Sequence, residues 1–335
     1  MSGGFTDLCA VVACGLVVTG AEAVTIPLLR RAAIVDVPGH RSSHTIPTPR
    51  GGGIPIVAGL LVAAVMIGGA KAIVFAFSVA AFGLLGFADD LRGLTAGSRL
   101  IMQAVSGTLI AVLLVSNLTG PTTVLIVLVV LVAAWITGFV NVFNFMDGVN
   151  GISGAHALIA GAVYAGLGWW RHDGFLLPVG AAVAVSALVF LPWNAGRARV
   201  FLGDAGSYAL GAALATLAAY AVFHGIPAEA VLGPLVLYIA DTTWTLQRRI
   251  RAGERWLEPH RTHVYQRWCD AGWSHQRVTV TAAATTMLLS ILGAASLAGD
   301  PALRAAADLV GAVVVVTYLR SPALLARRLV RAGAS

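Results

Sequence analysis

Three short polar stretches in an otherwise oily chain place acids and amides where they could bind a hard cation and phosphate. The first is Asp89-Asp90. Adjacent carboxylates beside a membrane repel each other unless a cation, a proton or an arginine such as Arg92 relieves them. A helix end capped by Gly93 is the bland reading, but an aspartate pair at a helix C-terminus opposes the macrodipole. The second is Asn141, Asn144 and Asp147, spaced i, i+3, i+6 and so on one face of a helix end. Their oxygens suit Mg²⁺, which keeps waters and binds few protein ligands plus substrate phosphates. Turn chemistry around Gly148 is the alternative. The third is Phe201-Leu-Gly203-Asp204-Ala-Gly206-Ser207, a turn that opens a helix with free N–H groups, a carboxylate and a hydroxyl together. Asp204 also makes an ordinary N-cap, and Phe201 an ordinary interface aromatic or a base-stacking ring. Asn194 lies just upstream.

Two basic stretches supply the opposite charge. Residues 36–53 hold three prolines, the Gly51-Gly52-Gly53 run, and Arg41, His44 and Arg50. Free backbone N–H groups and cations there would hold an anion. Residues 247–277 hold His260, Arg261 and His263, which suit phosphate oxygens; no third soft ligand nearby favours zinc. Both stretches also read as plain basic loops of a membrane protein. Three ionisable residues fall inside apolar runs, Glu22, His156 and Asp241, and such residues are functional candidates by default. Asp241, with Arg248 and Arg249 beyond it, is placed to aim an arginine.

The elements that must position these groups are membrane helices. Of 335 residues 58% are hydrophobic and 11% charged, against about 25% charged in soluble domains, and mean hydropathy is +0.85. A helix crosses a bilayer with ~20 apolar residues. The runs are continuous rather than alternating, which favours helices over a barrel. Eleven spans are predicted, at 8–29, 53–70, 72–88, 99–116, 122–141, 150–169, 175–192, 206–223, 229–246, 278–298 and 303–319. With the N-terminus outside and the C-terminus in the cytoplasm, nineteen of the 22 Lys and Arg fall on the inner side; only Lys71, Arg171 and Arg304 fall outside. That is a strong positive-inside bias. The polar stretches lie on the same inner side. The expectation is an all-α polytopic bundle, one domain over 1–335 with a basic tail at 320–335, in the cytoplasmic membrane with its active face inward. The net charge of +7 is then a topology signal, with no nucleic acid partner. Cys9, Cys14 and Cys269 form no disulfide framework or zinc site.

Taken in order, Asp36-x-Pro with Pro47-Thr-Pro-Arg-Gly-Gly-Gly53, Asp89-Asp90, Asn141-x-x-Asn144-x-x-Asp147-Gly, Phe201-x-Gly-Asp-x-Gly-Ser207 and His260-Arg-x-His263 resemble the polyprenyl-phosphate N-acetylhexosamine-1-phosphate transferases. The His260-Arg-x-His-x-Tyr-Gln266 loop looks like the branch that starts O-antigen and related surface glycans. The peptidoglycan branch, phospho-MurNAc-pentapeptide transferase, carries a histidine run there and is the alternative. Asn150 stands where many relatives have a second Asp, and Arg197-Ala198 replaces a Pro-Ala. The resemblance implies that Asp204, with Asn144, binds Mg²⁺ (or Mn²⁺ as a substitute). It implies that Asp147, Asn194 and Phe201 bind the uridine nucleotide, that Asp89 and Asp90 serve catalysis, and that His260, Arg261 and His263 hold phosphates and sugar. Arg41, His44, Arg50 and Asn141 complete the expected substrate contacts. The implied substrates are a UDP-N-acetylhexosamine and polyprenyl phosphate, and a homodimer is compatible with it. A multi-spanning transporter is the rival from another class, but transporters place coupling residues near the midplane, whereas these lie at span ends.

Overall fold

The computed structural model describes residues 2–36, 46–116, 118–255 and 260–332. Among these, thirteen α-helices form a bundle with one two-stranded ribbon. In order they are α1 (Ser2–Arg31), β1 (Val35–Asp36), β2 (Thr48–Pro49), α2 (Gly53–Ile67), α3 (Gly69–Arg92), α4 (Ala96–Val115), α5 (Thr122–Met146), α6 (Ile152–Arg171) and α7 (Leu176–Asn194). There follow α8 (Gly203–Phe223), α9 (Ala228–Leu232), α10 (Val236–Arg251), α11 (Val264–Asp270), α12 (His275–Ala294) and α13 (Pro301–Ala332). Nine of these helices are long and apolar enough to cross a membrane. The protein is an all-α polytopic membrane protein.

Two predicted spans take other forms. α2 is a shorter apolar helix of 15 residues. The ninth is broken into α9 and α10 around Gly233-Pro234-Leu235. Proline lacks the N–H a continuous helix needs, and Gly233 packs against the Leu289 carbonyl of α12. The break leaves α10 polar, with Arg248, Arg249 and Arg251 in its last turn.

α8 is the axis of the bundle, with 89% of its apolar window buried against 11% for α13 at the periphery. Its sequence, GDAGSYALGAALATLAAYAVF, explains this: small side chains let neighbouring backbones approach in a lipid setting, where packing drives helix association. A Cβ on Gly53 of α2 would overlap the Gly206 backbone, and one on Gly86 of α3 would overlap the Asp204 carbonyl. These two approaches fix the start of α8 against the end of α3 and the start of α2. β1 and β2 pair antiparallel, Val35 with Pro49 and Asp36 with Thr48. The strand path then hands over to the 201–203 turn, where Phe201 N donates to Pro49 O (2.8 Å) and Gly52 N to Phe201 O (2.9 Å).

Candidate active site

A cavity of 760 Å³ opens at the end of the bundle where α3 and α5 finish and α8 begins. Four of the five polar stretches line it: Asp36 and Arg50; Asn141 to Asn150; Asn194 and Phe201 to Asp204; and His260 with His263; Arg99 of α4 lines it too. The convergence expected from the sequence is met, with Asn144 Nδ2 donating to Asp204 Oδ1 at 2.9 Å and to Ser207 Oγ at 2.9 Å.

The aspartate pair is placed behind the cavity wall rather than in its lining. Asp90 accepts from the N–H groups of Asp204 (3.0 Å) and Ala205 (2.9 Å), so a carboxylate of α3 caps the start of α8. That is stabilising, because a helix N-terminus has orphan donors and a partial positive charge. Arg50 bridges the two acids, Nε to Asp90 Oδ1 at 2.7 Å and Nη2 to Asp204 Oδ2 at 2.7 Å. Burial opposes the Arg50 charge, yet the carboxylates of Asp204, Asp90 and Asp36 outweigh it and hold the guanidinium protonated. Asp89 accepts from Tyr208 Oη (2.8 Å), Leu94 N (2.8 Å) and Arg99 Nη1 (3.3 Å). The relief expected from Arg92 thus comes from Arg50, Arg99, Tyr208 and backbone N–H groups. The Gly93 cap forms as well, its N–H donating to Asp89 O in a left-handed conformation.

Asn141, Asn144 and Asp147 all line the cavity, as one helical face requires. Asn141 Nδ2 is held by Gln103 Oε1 (2.7 Å) and Thr137 O (2.8 Å). Asp147 follows α5 as its C-cap residue. Burial pushes its carboxyl up to about 7, with Asp204 and Asp90 adding to the rise and Arg50 opposing it. Asn144, Asp147 and Asp204 line the same cavity, with the Asn144 amide nitrogen turned to Asp204. Among the described residues no three His, Cys, Asp or Glu are grouped to hold a metal.

Two expected substrate contacts, Asn194 and Arg261, and the divergent Asn150 have partners within the chain. The Asn194 amide is 4% exposed, accepting from Gly151 N (2.8 Å) and donating to Val200 O (3.0 Å). It ties the 148–151 turn to the 200–203 turn. Arg261 pairs with Asp270 at 3.3 Å and does not line the cavity. Asn150, in place of an Asp, donates from Nδ2 to Gly196 O at 2.7 Å. Arg41 and His44 lie outside the described residues.

The histidine loop lines the cavity beside the end of α5, where Tyr265 Oη donates to Phe145 O at 2.9 Å. His260 and His263 stack with ring centroids 4.9 Å apart. Burial, with His263 and Arg249 beside it, pushes His260 down to about 4, so it is neutral at pH 7. Asp241 does not aim an arginine; it binds the start of α11. Sequence reading did not single out Arg99, Tyr208, Thr242, Gln266 or His275, all of which line the cavity. Tyr208 had a signal, lying one helical turn after Asp204. The others depend on contacts between distant segments.

The comparisons agree with this geometry. The description "Glycosyl transferase family 4" matches residues 72–222, which run from α3 through α8. Decaprenyl-phosphate N-acetylglucosaminephosphotransferase of Mycobacterium leprae is 29% identical, over 90% of this chain and 86% of that protein. A probable undecaprenyl-phosphate N-acetylglucosaminyl 1-phosphate transferase of Bacillus subtilis is 27% identical, over 76% and 75%. Phospho-N-acetylmuramoyl-pentapeptide-transferase of Bacillus subtilis is 28% identical, over 81% and 91%. With the ordered motifs gathered on one cavity, these matches support the family of polyprenyl-phosphate hexosamine-1-phosphate transferases, within the description of glycosyl transferase family 4.

Proposed function

We propose that this sugar-phosphate transferase moves N-acetylhexosamine 1-phosphate from a UDP-sugar to polyprenyl phosphate, giving polyprenyl-diphospho-sugar and UMP. The observation that carries this reading is a cavity at one end of a membrane bundle, lined by the carboxylates of Asp147 and Asp204 together with His260 and His263. A lipid phosphate cannot leave headgroup depth, and a nucleotide cannot enter the bilayer. A polar cavity at the span ends is where the two can meet. The basic loops support a cytoplasmic orientation for that end, with the protein in the cell membrane.

Mg²⁺ would be held by Asp204 and Asn144, with Mn²⁺ as a substitute, and would supply charge neutralisation for the diphosphate and the departing UMP. The chain's own residues do the positioning on which phosphoryl transfer depends. Phe201, Asp147 and the 148–151 turn form the nucleotide end of the cavity. Arg50 and Arg99 supply fixed positive charge beside the acids. The attacking lipid phosphate has a second pKa near 6, so it arrives largely ionised and needs orientation more than a base. Asp89 and Asp90, expected to be catalytic, act in this reading by holding Tyr208, Arg99, Arg50 and the start of α8.

The test is UMP release by the purified, lipid-reconstituted protein with undecaprenyl phosphate, across UDP-GlcNAc, UDP-GalNAc, 6-deoxy relatives and UDP-MurNAc-pentapeptide, with Mg²⁺ or EDTA. Mg²⁺-dependent release from a UDP-N-acetylhexosamine supports the reading. Release from the pentapeptide donor alone transfers it to the peptidoglycan reaction, and no release from any donor rejects it.

A further inference from the structure

One fully buried carboxylate has no part in the reaction as described. Asp241, in α10, is 0% exposed and sits one residue before the cavity-lining Thr242. Its Oδ1 accepts from His263 Nδ1 (3.1 Å), Val264 N (3.0 Å) and Thr245 Oγ1 (3.2 Å). Its Oδ2 accepts from Tyr318 Oη (2.7 Å) and Tyr265 N (3.4 Å). Three of these donors belong to the consecutive residues His263, Val264 and Tyr265, where the loop turns into α11. Tyr318 comes from α13, so the carboxylate gathers three separate helices around one point.

A buried carboxylate is retained only when its oxygens are satisfied, and here they are satisfied by the segment that carries His263. The ring of His263 lines the cavity and is stacked near His260, Tyr265 and Phe145. Its Nδ1 is committed to Asp241, so Nε2 is the nitrogen left for the cavity. A carboxylate on one imidazole nitrogen sets which tautomer forms and which way the ring faces. We propose that Asp241 is the positioning residue for His263: it keeps the proton on Nδ1 and presents Nε2 to the cavity as an acceptor for a substrate hydroxyl. This rests on the transferase reading for what Nε2 meets, though not for the tautomer itself.

The experiment uses the full chain in detergent, labelled with ¹⁵N-histidine, with His263→Gln to assign the resonance. Wild type should show His263 protonated at Nδ1, and Asp241→Asn should lose that single-tautomer signature. An unchanged His263 spectrum in Asp241→Asn overturns the proposal. In the UMP assay Asp241→Asn should lower kcat by roughly 10–100-fold, the usual cost of removing an outer partner, with KM for the UDP-sugar changed less than about threefold. The double variant with His263→Ala should be no slower than His263→Ala alone, because residues acting as one unit are not additive. Multiplying losses would mean that Asp241 acts elsewhere and would overturn it. If Asp241→Asn does not fold, Asp241→Glu decides: a restored tautomer with partial activity supports the proposal, and a folded variant with neither rejects it. A wild type inactive on every donor would reject the transferase reading and leave the tautomer measurement to judge Asp241.

Discussion

α3 and α8 lie side by side and carry a polar cluster at each end of their contact, and the two clusters differ in one respect. At one end Lys71 donates to Tyr220 Oη (2.6 Å), which donates to Asp173 Oδ2 (2.8 Å), while Asp173 Oδ1 caps the start of α7 through Phe175 N (2.9 Å) and Leu176 N (2.8 Å). One cation answers one acid. At the other end, among the described residues, Asp90 and Asp204 pair with Arg50 and Asp89 with Arg99, with Asp147 close by, beside a cavity of 760 Å³. Charge at a span end is therefore not itself a sign of function. Acid in excess of the cations among the described residues, next to a space large enough for a substrate, is what asks for an added cation and rewards a phosphate.

The largest expected effect falls on the unbalanced end. Asp204→Asn should lower the transfer rate by ~10²–10³-fold, the range seen when a group that stabilises transition-state charge is lost, and should raise the Mg²⁺ concentration giving half-maximal rate. An unchanged Mg²⁺ dependence would remove Asp204 from cation binding. Arg50→Gln comes next. It strips the shared partner from Asp90 and Asp204, and leaving a buried charge unpaired is strongly destabilising. Activity should fall about 100-fold and the thermal midpoint should drop with it; a midpoint equal to wild type would show that the acids need no such bridge.

A pH experiment sharpens the contrast further. Asp147 has a folded value of about 7 against an ordinary 3.8, so the fold prefers its protonated form. Its contribution to stability is fully present below the unfolded value and is lost as pH rises through about 7. In EDTA, the thermal midpoint of Asp147→Asn should fall less between pH 5 and 8 than that of wild type. Parallel curves would show that the carboxyl is ordinary. The smallest effect belongs to the balanced end: Lys71→Met should lower the midpoint by about 2 °C, in line with a loss near 1 kcal/mol, while activity stays within about twofold of wild type. A large activity loss there would break the distinction between the two ends.

Much of this was legible in the sequence because a membrane protein can hide so little. Apolar runs set the spans, and acids or amides that interrupt them stand out. The spacing of Asn141, Asn144 and Asp147 gave their common face directly, since helical geometry is local. The partners were not local. Asp90 caps a helix 114 residues away, and Asp241 binds a loop 22 residues on together with a tyrosine 77 residues on. Nothing in the residues near Asp89 points to Tyr208 or separates Arg99 from Arg92. Asn194 lines the cavity as its type and position suggested, and its amide also joins two turns, which the sequence did not show. Residue type and spacing located the site, whereas the division between groups that touch substrate and groups that hold them needed three dimensions.

The central claim is that phosphate travels with the sugar from a nucleotide to a membrane lipid. The direct measurement is to supply reconstituted protein with UDP-N-acetylhexosamine labelled at the β-phosphorus, add undecaprenyl phosphate and Mg²⁺, and follow the label. The account predicts that it partitions into the organic phase as a lipid-linked diphosphate while unlabelled UMP stays in water. Label that remains in water while sugar enters the lipid, as UDP is released, would contradict it.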